Sequence, residues 1–412
     1  MKRFMEKAAV LCLSLVLISA YSVSAALPQM KQFFHNYPPD WVEMLISVTS
    51  FAVVCTVAAD IWLHRLISER TSITLGLVLV TVSGTVPVWS RSFGMIFASR
   101  ILLGIGFGLV NACAITIIQE RYTGREQAFL LGVRGSMETL GGAVLTLIAG
   151  GLLHGGWNHA FWIYITALPI LAMFLAFVRP GEGNAKWAPD DKVKANRGPA
   201  PAKVSPAKVS PAKSADAAPG KVSPGPWTRG ELLFLIFCAL LAGLFIFVNT
   251  SNTMRLADVV IERGLGTDQK ASVVLSVLQA VGVIGGIFYG KLRETLKGYV
   301  FPLTILIYAL GDVVFGFAFS MPLMYLGAIF SGYGNGLLTT ILFDRISDRL
   351  PAEKVSSGTH LTLIGCNLGA TLTPVIMKLL GFINNSNTFL FFAYSAALGV
   401  LAVYETVKAA KN

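Results

Sequence analysis

Twelve long apolar runs are the feature that most restricts how this 412-residue chain can fold. A transmembrane helix needs about 20 predominantly apolar residues, and each run is close to that length. The runs are continuous instead of alternating, which favours helices over membrane strands. They lie at 8–29, 41–62, 72–90, 94–118, 129–152, 160–178, 230–252, 268–290, 299–318, 322–344, 357–380 and 388–407. The sequence therefore predicts an all-α membrane protein with twelve transmembrane helices.

The composition excludes an ordinary soluble protein. Hydrophobic residues make up 54% of the chain and charged residues 13%, whereas soluble domains carry about 25% charged residues. The net charge is +11, but the basic residues stand between apolar runs, so membrane topology explains them better than nucleic-acid binding. The five cysteines lie singly inside apolar runs without ligand spacing. Neither a disulfide framework nor a metal site is expected.

The first 26 residues have two possible interpretations. They combine a basic start, an apolar stretch and the small-residue ending of a cleavable signal peptide. Cleavage would leave an odd number of spans, so we interpret this run as the first transmembrane helix. With the N-terminus inside, Lys and Arg concentrate in the inside connections, and few remain outside: Lys31, Arg91, Arg255 and Arg263. This bias predicts that both termini face the cytoplasm.

The segment 179–228 differs from the rest of the chain. It holds 9 of the 18 prolines and nine Lys or Arg, and Lys-Val-Ser-Pro occurs in it three times. Such a composition predicts a disordered, basic cytoplasmic linker between an N-terminal half (1–178) and a C-terminal half (229–412). A flexible tether is the favoured interpretation, and docking to anionic lipid headgroups is the alternative.

An internal repeat relates the two halves. At an offset of 228 positions, a Gly-x-Gly-x-Gly triplet, an acid–base pair, a Leu-Gly pair, an arginine and a phenylalanine all align without a gap. The triplets are Gly104, Gly106, Gly108 and Gly332, Gly334, Gly336. Six spans separate the copies, so both have the same orientation. Two parallel six-helix repeats are the plan of one large class of transporters.

Several motifs give the chain a family resemblance over nearly its whole length. Ala26-Leu-Pro28 closes the first run, Arg100-Ile-Leu-Leu-Gly104-Ile-Gly106 opens the fourth, and the fifth contains Gly142, Gly150 and Gly151. In these motifs the chain resembles the major facilitator superfamily, and in particular its twelve-helix drug–proton antiporter branch. The resemblance implies that Arg100 is associated with proton coupling.

The chain departs from that family's pattern in two places. After the second run, only Arg65 keeps its position in the usual loop motif, and Asp60 and His64 stand nearby. These two lie four residues apart, so they share a helix face. They either replace the usual acidic partner in a conformational-switch loop or are solvated residues at a helix end. Thr146-Leu147 replaces the Gly-Pro expected in the fifth run, which weakens the assignment to antiport.

Three charged residues inside apolar runs are candidates for proton coupling. A charge near the bilayer centre costs about 3 kcal/mol on insertion scales and is a functional candidate. We expect Asp312 or Glu138 to bind and release the proton and Arg100 to modulate it. The alternative is a fixed Arg100–Glu138 pair that only holds helices together.

Uncharged polar residues supply candidates for a substrate cavity between the repeats. Each of them is equally well explained as an interhelical hydrogen bond. The candidates are Asn111, Asn249, Asn252, Gln279, Asn335 and Asn367.

The expected function is secondary active transport by alternating access, driven by protons. No Gly-x-x-x-x-Gly-Lys-Ser/Thr loop is present, so ATP is not the expected energy source and no cofactor is expected. Export of small amphipathic drugs or metabolites is implied by the resemblance. A proton-coupled importer of a small metabolite is the alternative, and a transport-fold sensor also stays open.

An enzyme is not expected, because the one acidic doublet, Asp190-Asp191, lies in the predicted linker. The expected partners are a small-molecule substrate and membrane lipid, without nucleic acid. The resemblance implies a monomer. Compact loops suggest a bacterial inner membrane.

Overall fold

The computed structural model describes residues 2–17, 19–121, 124–178, 227–384 and 386–411. These ranges are helical, with no strand among them, so the all-α prediction is confirmed for this part of the chain. The predicted linker falls almost entirely in 179–226, outside the described residues.

The described chain forms thirteen α-helices joined by turns and short 3₁₀ helices. The 3₁₀ helices are Leu13–Val16, Ser24–Ala26, Leu153–Gly155, Trp157–Thr166 and Lys297–Tyr299. The α-helices are α1 (Lys2–Cys12), α2 (Leu27–Phe33), α3 (Pro39–Leu66), α4 (Glu69–Trp89), α5 (Phe93–Arg121), α6 (Gly124–Leu152), α7 (Ala167–Phe177), α8 (Arg229–Glu262), α9 (Asp268–Leu296), α10 (Val300–Phe317), α11 (Met321–Arg349), α12 (Ala352–Gly381) and α13 (Asn387–Lys411).

Ten helical segments of the described chain are long and apolar enough to cross a membrane. α9 makes an eleventh if its two parts, which meet at a bend of 60°, are taken together. A multi-pass helical membrane protein is therefore confirmed, while the number twelve stays a prediction.

The first predicted span, 8–29, is not one continuous helix. α1 ends at Cys12, and turns and 3₁₀ helices lead to α2. Serine side chains take part in this break: Ser19 Oγ donates to the Val16 carbonyl at 2.5 Å and Ser22 Oγ to the Gly142 carbonyl at 3.2 Å. Such side-chain bonds compete with the helical backbone pattern. The prediction of an uninterrupted helix over 8–29 is wrong for this reason.

The start of α8 is set by a local sequence signal. Thr228 Oγ1 accepts the backbone N–H of Glu231 at 3.2 Å, and a Glu231 carboxylate oxygen accepts the N–H of Thr228 at 2.9 Å. This reciprocal capping box satisfies two N–H groups that have no partner in the first turn. α8 therefore begins at Arg229, directly after the Pro- and Lys-rich segment.

Helix packing follows the same pattern on both sides of that segment. α5 packs against α3 and α4, and α11 packs against α9 and α10. Between the two halves, α3 packs on α12, α6 packs on α9, and α8 contacts the segment around α2. The interface between the halves is therefore built from α3, α6, α8, α9, α12 and the segment around α2.

Aligned glycines occupy equivalent close contacts. A Cβ on Gly104 would stand 2.3 Å from the Thr49 carbonyl oxygen of α3, and one on Gly332 would stand 2.1 Å from the Leu278 carbonyl oxygen of α9. Both distances are shorter than any van der Waals contact, so only glycine lets these backbones approach so closely. The 228-residue offset read from the sequence therefore relates positions with the same packing role.

Candidate functional site

Asp312 of α10 is a fully buried carboxylate next to an amide. Asn252 of α8 donates from Nδ2 to Asp312 Oδ1 at 2.7 Å, and the same Nδ2 lies 3.3 Å from Ser331 Oγ of α11. Asp312 is 0% exposed, and its second oxygen, Oδ2, has no hydrogen-bond partner. No described cation forms an ion pair with it. Two predicted site residues, Asp312 and Asn252, are thus in direct contact.

Arg100 of α5 donates a hydrogen bond to the backbone of the interrupted first span. Its Nη2 donates to the Ala20 carbonyl at 2.9 Å, its Nε to the Leu45 carbonyl at 2.8 Å and its Nη1 to the Tyr164 hydroxyl at 2.8 Å. The Tyr164 hydroxyl in turn donates to the Ser19 carbonyl at 3.1 Å. Non-helical backbone within a membrane needs such internal partners. Arg100 therefore satisfies the Ala20 carbonyl of the non-helical segment directly and the Ser19 carbonyl through Tyr164.

Glu138 is paired with Arg134 and not with Arg100, the partner considered in the sequence analysis. Arg134, four residues earlier on α6, places its Nη1 3.6 Å from Glu138 Oε2. Arg134 also donates from Nη2 to Asn111 Oδ1 of α5. The structure therefore does not contain the fixed Arg100–Glu138 pair that the sequence analysis gave as the alternative.

Arg134 was missed by the sequence reasoning. Its side chain is 12% exposed, and it lies ten residues into α6, which is about 15 Å along the helix. The i,i+4 spacing to Glu138 is a signal that could have identified it.

The remaining predicted cavity residues divide into bridging and local positions. Gln279 Nε2 of α9 donates to Thr146 Oγ1 of α6 at 3.2 Å, so it links the two halves. Asn367 Nδ2 donates to the Leu363 carbonyl of its own helix at 2.9 Å. Buried amide oxygens of Asn249, Asn335 and Gln279 have no protein partner among the described residues. These oxygens are therefore able to accept hydrogen bonds from a solute or water.

The predicted switch-loop residues lie only partly within the described structure. The backbone of Asp60, His64 and Arg65 belongs to α3, but their side chains are outside the described part. The residue that the repeat aligns with Arg65 is Arg293, which contacts Asp344 and Asp348 at 2.5 Å each.

A network of four charges joins the two halves where α3 begins and α8 ends. Lys31 Nζ lies 2.8 Å from Glu43 Oε1 and 2.6 Å from Asp258 Oδ2. Arg255 Nη2 lies 3.2 Å from Glu43 Oε1, and its Nη1 lies 3.8 Å from Asp258 Oδ2. The Glu43 side chain is 0% exposed. We call these four residues the inter-half charge network; the sequence had assigned Lys31 and Arg255 only to outside connections.

Further polar contacts between the halves lie at the same end. Gln29 Nε2 donates to Asp268 Oδ2 at 2.6 Å, and Lys378 Nζ lies 3.5 Å from Asp40 Oδ2. The side chains of the Lys378–Asp40 pair are 52% and 29% exposed, unlike the buried network. The structure therefore has the two halves closed together at this end.

A family comparison identifies the class of protein to which this geometry belongs. The sequence profile described as Major Facilitator Superfamily matches residues 9–374. The chain belongs to the Major Facilitator Superfamily. The twelve-helix drug–proton antiporter branch is not decided by that match.

Relatives of this superfamily chain are distant and match only segments of it. A 134-residue segment is 25% identical to the acurin A biosynthesis cluster MFS-type transporter of Aspergillus aculeatus, covering 32% of this chain and 24% of that protein. A 143-residue segment is 21% identical to Protein TsgA of Escherichia coli, covering 34% and 36%. Cyanate transport protein CynX of Escherichia coli is 26% identical over 104 residues, covering 25% and 27%. The aligned segments thus span about a quarter to a third of these relatives.

Two solved structures of transporters share the fold over almost the whole chain. A bacterial homologue of the human lysosomal transporter Spinster, in an inward-facing and unoccupied conformation, matches with TM-score 0.70 and 13% identity, covering 99% of this chain and 98% of that one. A mutant of the peptide transporter POT matches with TM-score 0.76 and 13% identity, covering 98% and 94%. At 13% identity, these matches show that the chain shares the fold of these proteins.

Proposed function

We propose that this chain is a proton-coupled secondary active transporter of small organic compounds that works by alternating access. Two parallel six-helix repeats rock against each other around a central site, in a bacterial inner membrane with both termini in the cytoplasm. The proton gradient is the energy source, no cofactor is needed, and the working unit is a monomer. The family membership and the closure of the halves at one end support this proposal.

The observation that carries the proposal is the position of Asp312 relative to the inter-half charge network. Asn252, which holds Asp312, lies on α8 within two turns of Arg255 and Asp258. A buried charge without an ion-pair partner is costly, and protonation removes that cost. A proton arriving at Asp312 therefore alters the packing of the helix that carries half of the network. This connection gives a physical route from protonation to opening of the halves.

Export of amphipathic drugs or metabolites is the first direction to test, because the resemblance to drug–proton antiporters suggests it. The test measures dye accumulation in an efflux-deficient bacterial host expressing the full chain, with and without a protonophore. Asp312→Asn keeps the size and the acceptor oxygen for Asn252, but it cannot exchange a proton. Glu294→Gln is the control for loss of one carboxylate, because Glu294 is exposed near the end of α9.

Wild type and Glu294→Gln are expected to lower dye accumulation in a protonophore-sensitive manner, and Asp312→Asn is expected to lose this effect at equal membrane abundance. Retained, protonophore-sensitive export by Asp312→Asn would contradict the role of this carboxylate. Unchanged accumulation of cationic and neutral dyes by the wild type would contradict export.

Uptake of a small anionic metabolite with a proton is the second candidate, and Arg134 favours it. This guanidinium lies near the middle of α6 with one carboxylate at 3.6 Å, and its Nε is buried without a partner. Protonation of Glu138 would release Arg134 to bind an anion. Thermal unfolding of the purified chain with benzenesulfonate or with the neutral benzenesulfonamide tests this candidate. Only the anion should stabilise the wild type, and Arg134→Gln should abolish the difference; equal effects of the two compounds would contradict it.

A further inference from the structure

A cavity opens at the opposite end of the C-terminal half, where α8 begins and α11 and α13 end. Its volume is about 620 Å³, and its lining includes Arg345, Arg349 and Lys408 together with apolar side chains of α8 and α11. The cavity is lined by α8, α11 and α13. Of these three helices, only α8 also belongs to the interface between the halves. It is therefore a site separate from the central one considered for transport.

The charges around this cavity do not balance. Arg345 lies 3.2 Å and Lys408 3.7 Å from Glu405, so two cations share one carboxylate that is 3% exposed. Asp348 is engaged by Arg293 at 2.5 Å. Arg293 also contacts Asp344 at 2.5 Å, so it does not balance both carboxylates. Counted together, these groups carry a net charge of +1, from four cations (Arg293, Arg345, Arg349 and Lys408) and three carboxylates (Asp344, Asp348 and Glu405).

Arg349 is oriented by an aromatic ring and is available to bind an anion. Its guanidinium carbon lies 4.7 Å from the centre of the Phe234 ring, a cation–π contact that orients the side chain without neutralising it. No ion pair joins Arg349 to an acid in the part of the chain that the structure describes. Arginine in such a position presents paired N–H donors that fit a phosphate group.

Apolar side chains continue from the cavity along the membrane-facing surface. Leu233 and Leu240 of α8 are 66% and 69% exposed, and Val400, Val403 and Tyr404 of α13 are 73%, 63% and 58% exposed. Leu233 and Leu240 are separated by about 10 Å along the helix, in the direction away from the basic end. The surface is thus basic at the helix ends and apolar along the helices. It therefore complements an anionic amphiphile, which has a negative headgroup and an apolar chain.

We propose that this cavity binds an anionic phospholipid, with the phosphate on Arg349 and Lys408 and an acyl chain along Leu233 and Leu240. Basic pockets between transmembrane helices bind acidic headgroups in this manner. Free phosphate would not contact the apolar side chains of Leu233 and Leu240. The chain's own segment 179–228 has nine basic and four acidic residues, so its net charge opposes binding to a basic cavity. The lipid ties three helices of one half together and thereby stabilises that half.

The test uses the purified full chain in detergent after removal of bound lipid. Thermal unfolding and native mass spectrometry are followed while dioleoyl phosphatidylglycerol, dioleoyl phosphatidylcholine or inorganic phosphate is added. The wild type is expected to bind phosphatidylglycerol at least tenfold more tightly than phosphatidylcholine and to gain several degrees in Tm. Inorganic phosphate is expected to have no comparable effect, because it lacks the acyl chains.

Two variants with the same change in net charge make the test specific. The double variant Arg349→Gln with Lys408→Gln should lose the preference for phosphatidylglycerol. The control, Arg229→Gln with Lys291→Gln, removes two exposed cations that do not line the cavity and should keep it. Arg349→Lys, which retains the charge, should keep a measurable part of the preference even if the double variant folds poorly.

Several results would overturn the proposal. These are equal binding of the two lipids by the wild type, an unchanged preference in the double variant, or stabilisation by inorganic phosphate equal to that by phosphatidylglycerol. None of these measurements depends on transport, so failure of the proposed function would leave this test intact.

Discussion

Substitution of Glu43 by glutamine is expected to open the end of the molecule that the inter-half charge network closes. Glu43 Oε1 forms ion pairs with Lys31 Nζ at 2.8 Å and with Arg255 Nη2 at 3.2 Å. With glutamine in its place, two cations share Asp258 alone, and the network changes from neutral to a net charge of +1. The uncompensated cation is buried only while the halves are closed together, so the change penalises the closed state.

The size of the effect follows from the burial of the network. Removing one partner of a buried ion pair costs about 3–5 kcal/mol. The lower end applies here, because Asp258 remains 2.6 Å from Lys31 and 3.8 Å from Arg255. About 3 kcal/mol changes an equilibrium constant by roughly 100-fold. A closed state that outnumbers the open one by about 99 to 1 would then fall to about equal populations.

Asp40→Asn is the matched control for this prediction. It removes an ion pair between the same two halves at the same end, but the Lys378 and Asp40 side chains are 52% and 29% exposed. Exposed ion pairs contribute about 0–1 kcal/mol. The expected change in the open population is therefore at most about fivefold.

The assay is a distance measurement by electron paramagnetic resonance between spin labels at Tyr37→Cys and Ile383→Cys. These positions are 43% and 74% exposed and lie at the end that the network closes. The five native cysteines are replaced by alanine in this background. Glu43→Gln should add a population at longer distance that Asp40→Asn does not. Equal distance distributions in the two variants would refute the assignment of closure to the buried network.

Two further predictions concern packing. Gly336→Leu should destabilise the fold strongly, because even a Cβ at this position would stand 2.2 Å from the Gly282 carbonyl oxygen. The control in a thermal unfolding assay is Gly151→Leu, because nothing lies within 4 Å of a Cβ added there. Equal losses of Tm in the two variants would contradict the close-packing argument. Arg100→Lys should lower Tm, because a single ammonium nitrogen cannot reach the three separate oxygens that the guanidinium binds. Tyr164→Phe removes one of these three bonds and the hydroxyl's own bond to the Ser19 carbonyl, so it should cost less, about 2 kcal/mol. A larger loss of Tm in Tyr164→Phe than in Arg100→Lys would refute this ranking.

Part of the candidate site could be predicted from the sequence because it depends on local composition. A carboxylate inside an apolar run is visible without coordinates, and Asp312 was identified in this way. That Asn252 is its partner was not visible, because 60 residues separate the two and two different helices carry them. The same holds for Arg100, because one of its partners, the Ala20 carbonyl, lies in a segment that the sequence predicts as a continuous helix.

The sequence by itself determined that this chain is a helical membrane protein, where most of its long helices lie, and which glycines correspond between the halves. Apolar length and residue spacing act within one helix, so they can be read along the chain. Only the tertiary structure decided that Lys31 meets Asp258 and that Glu43 meets Arg255, across separations of 227 and 212 residues. The physical reason is that an ion pair depends on which helix ends meet in space, and no local pattern encodes that meeting.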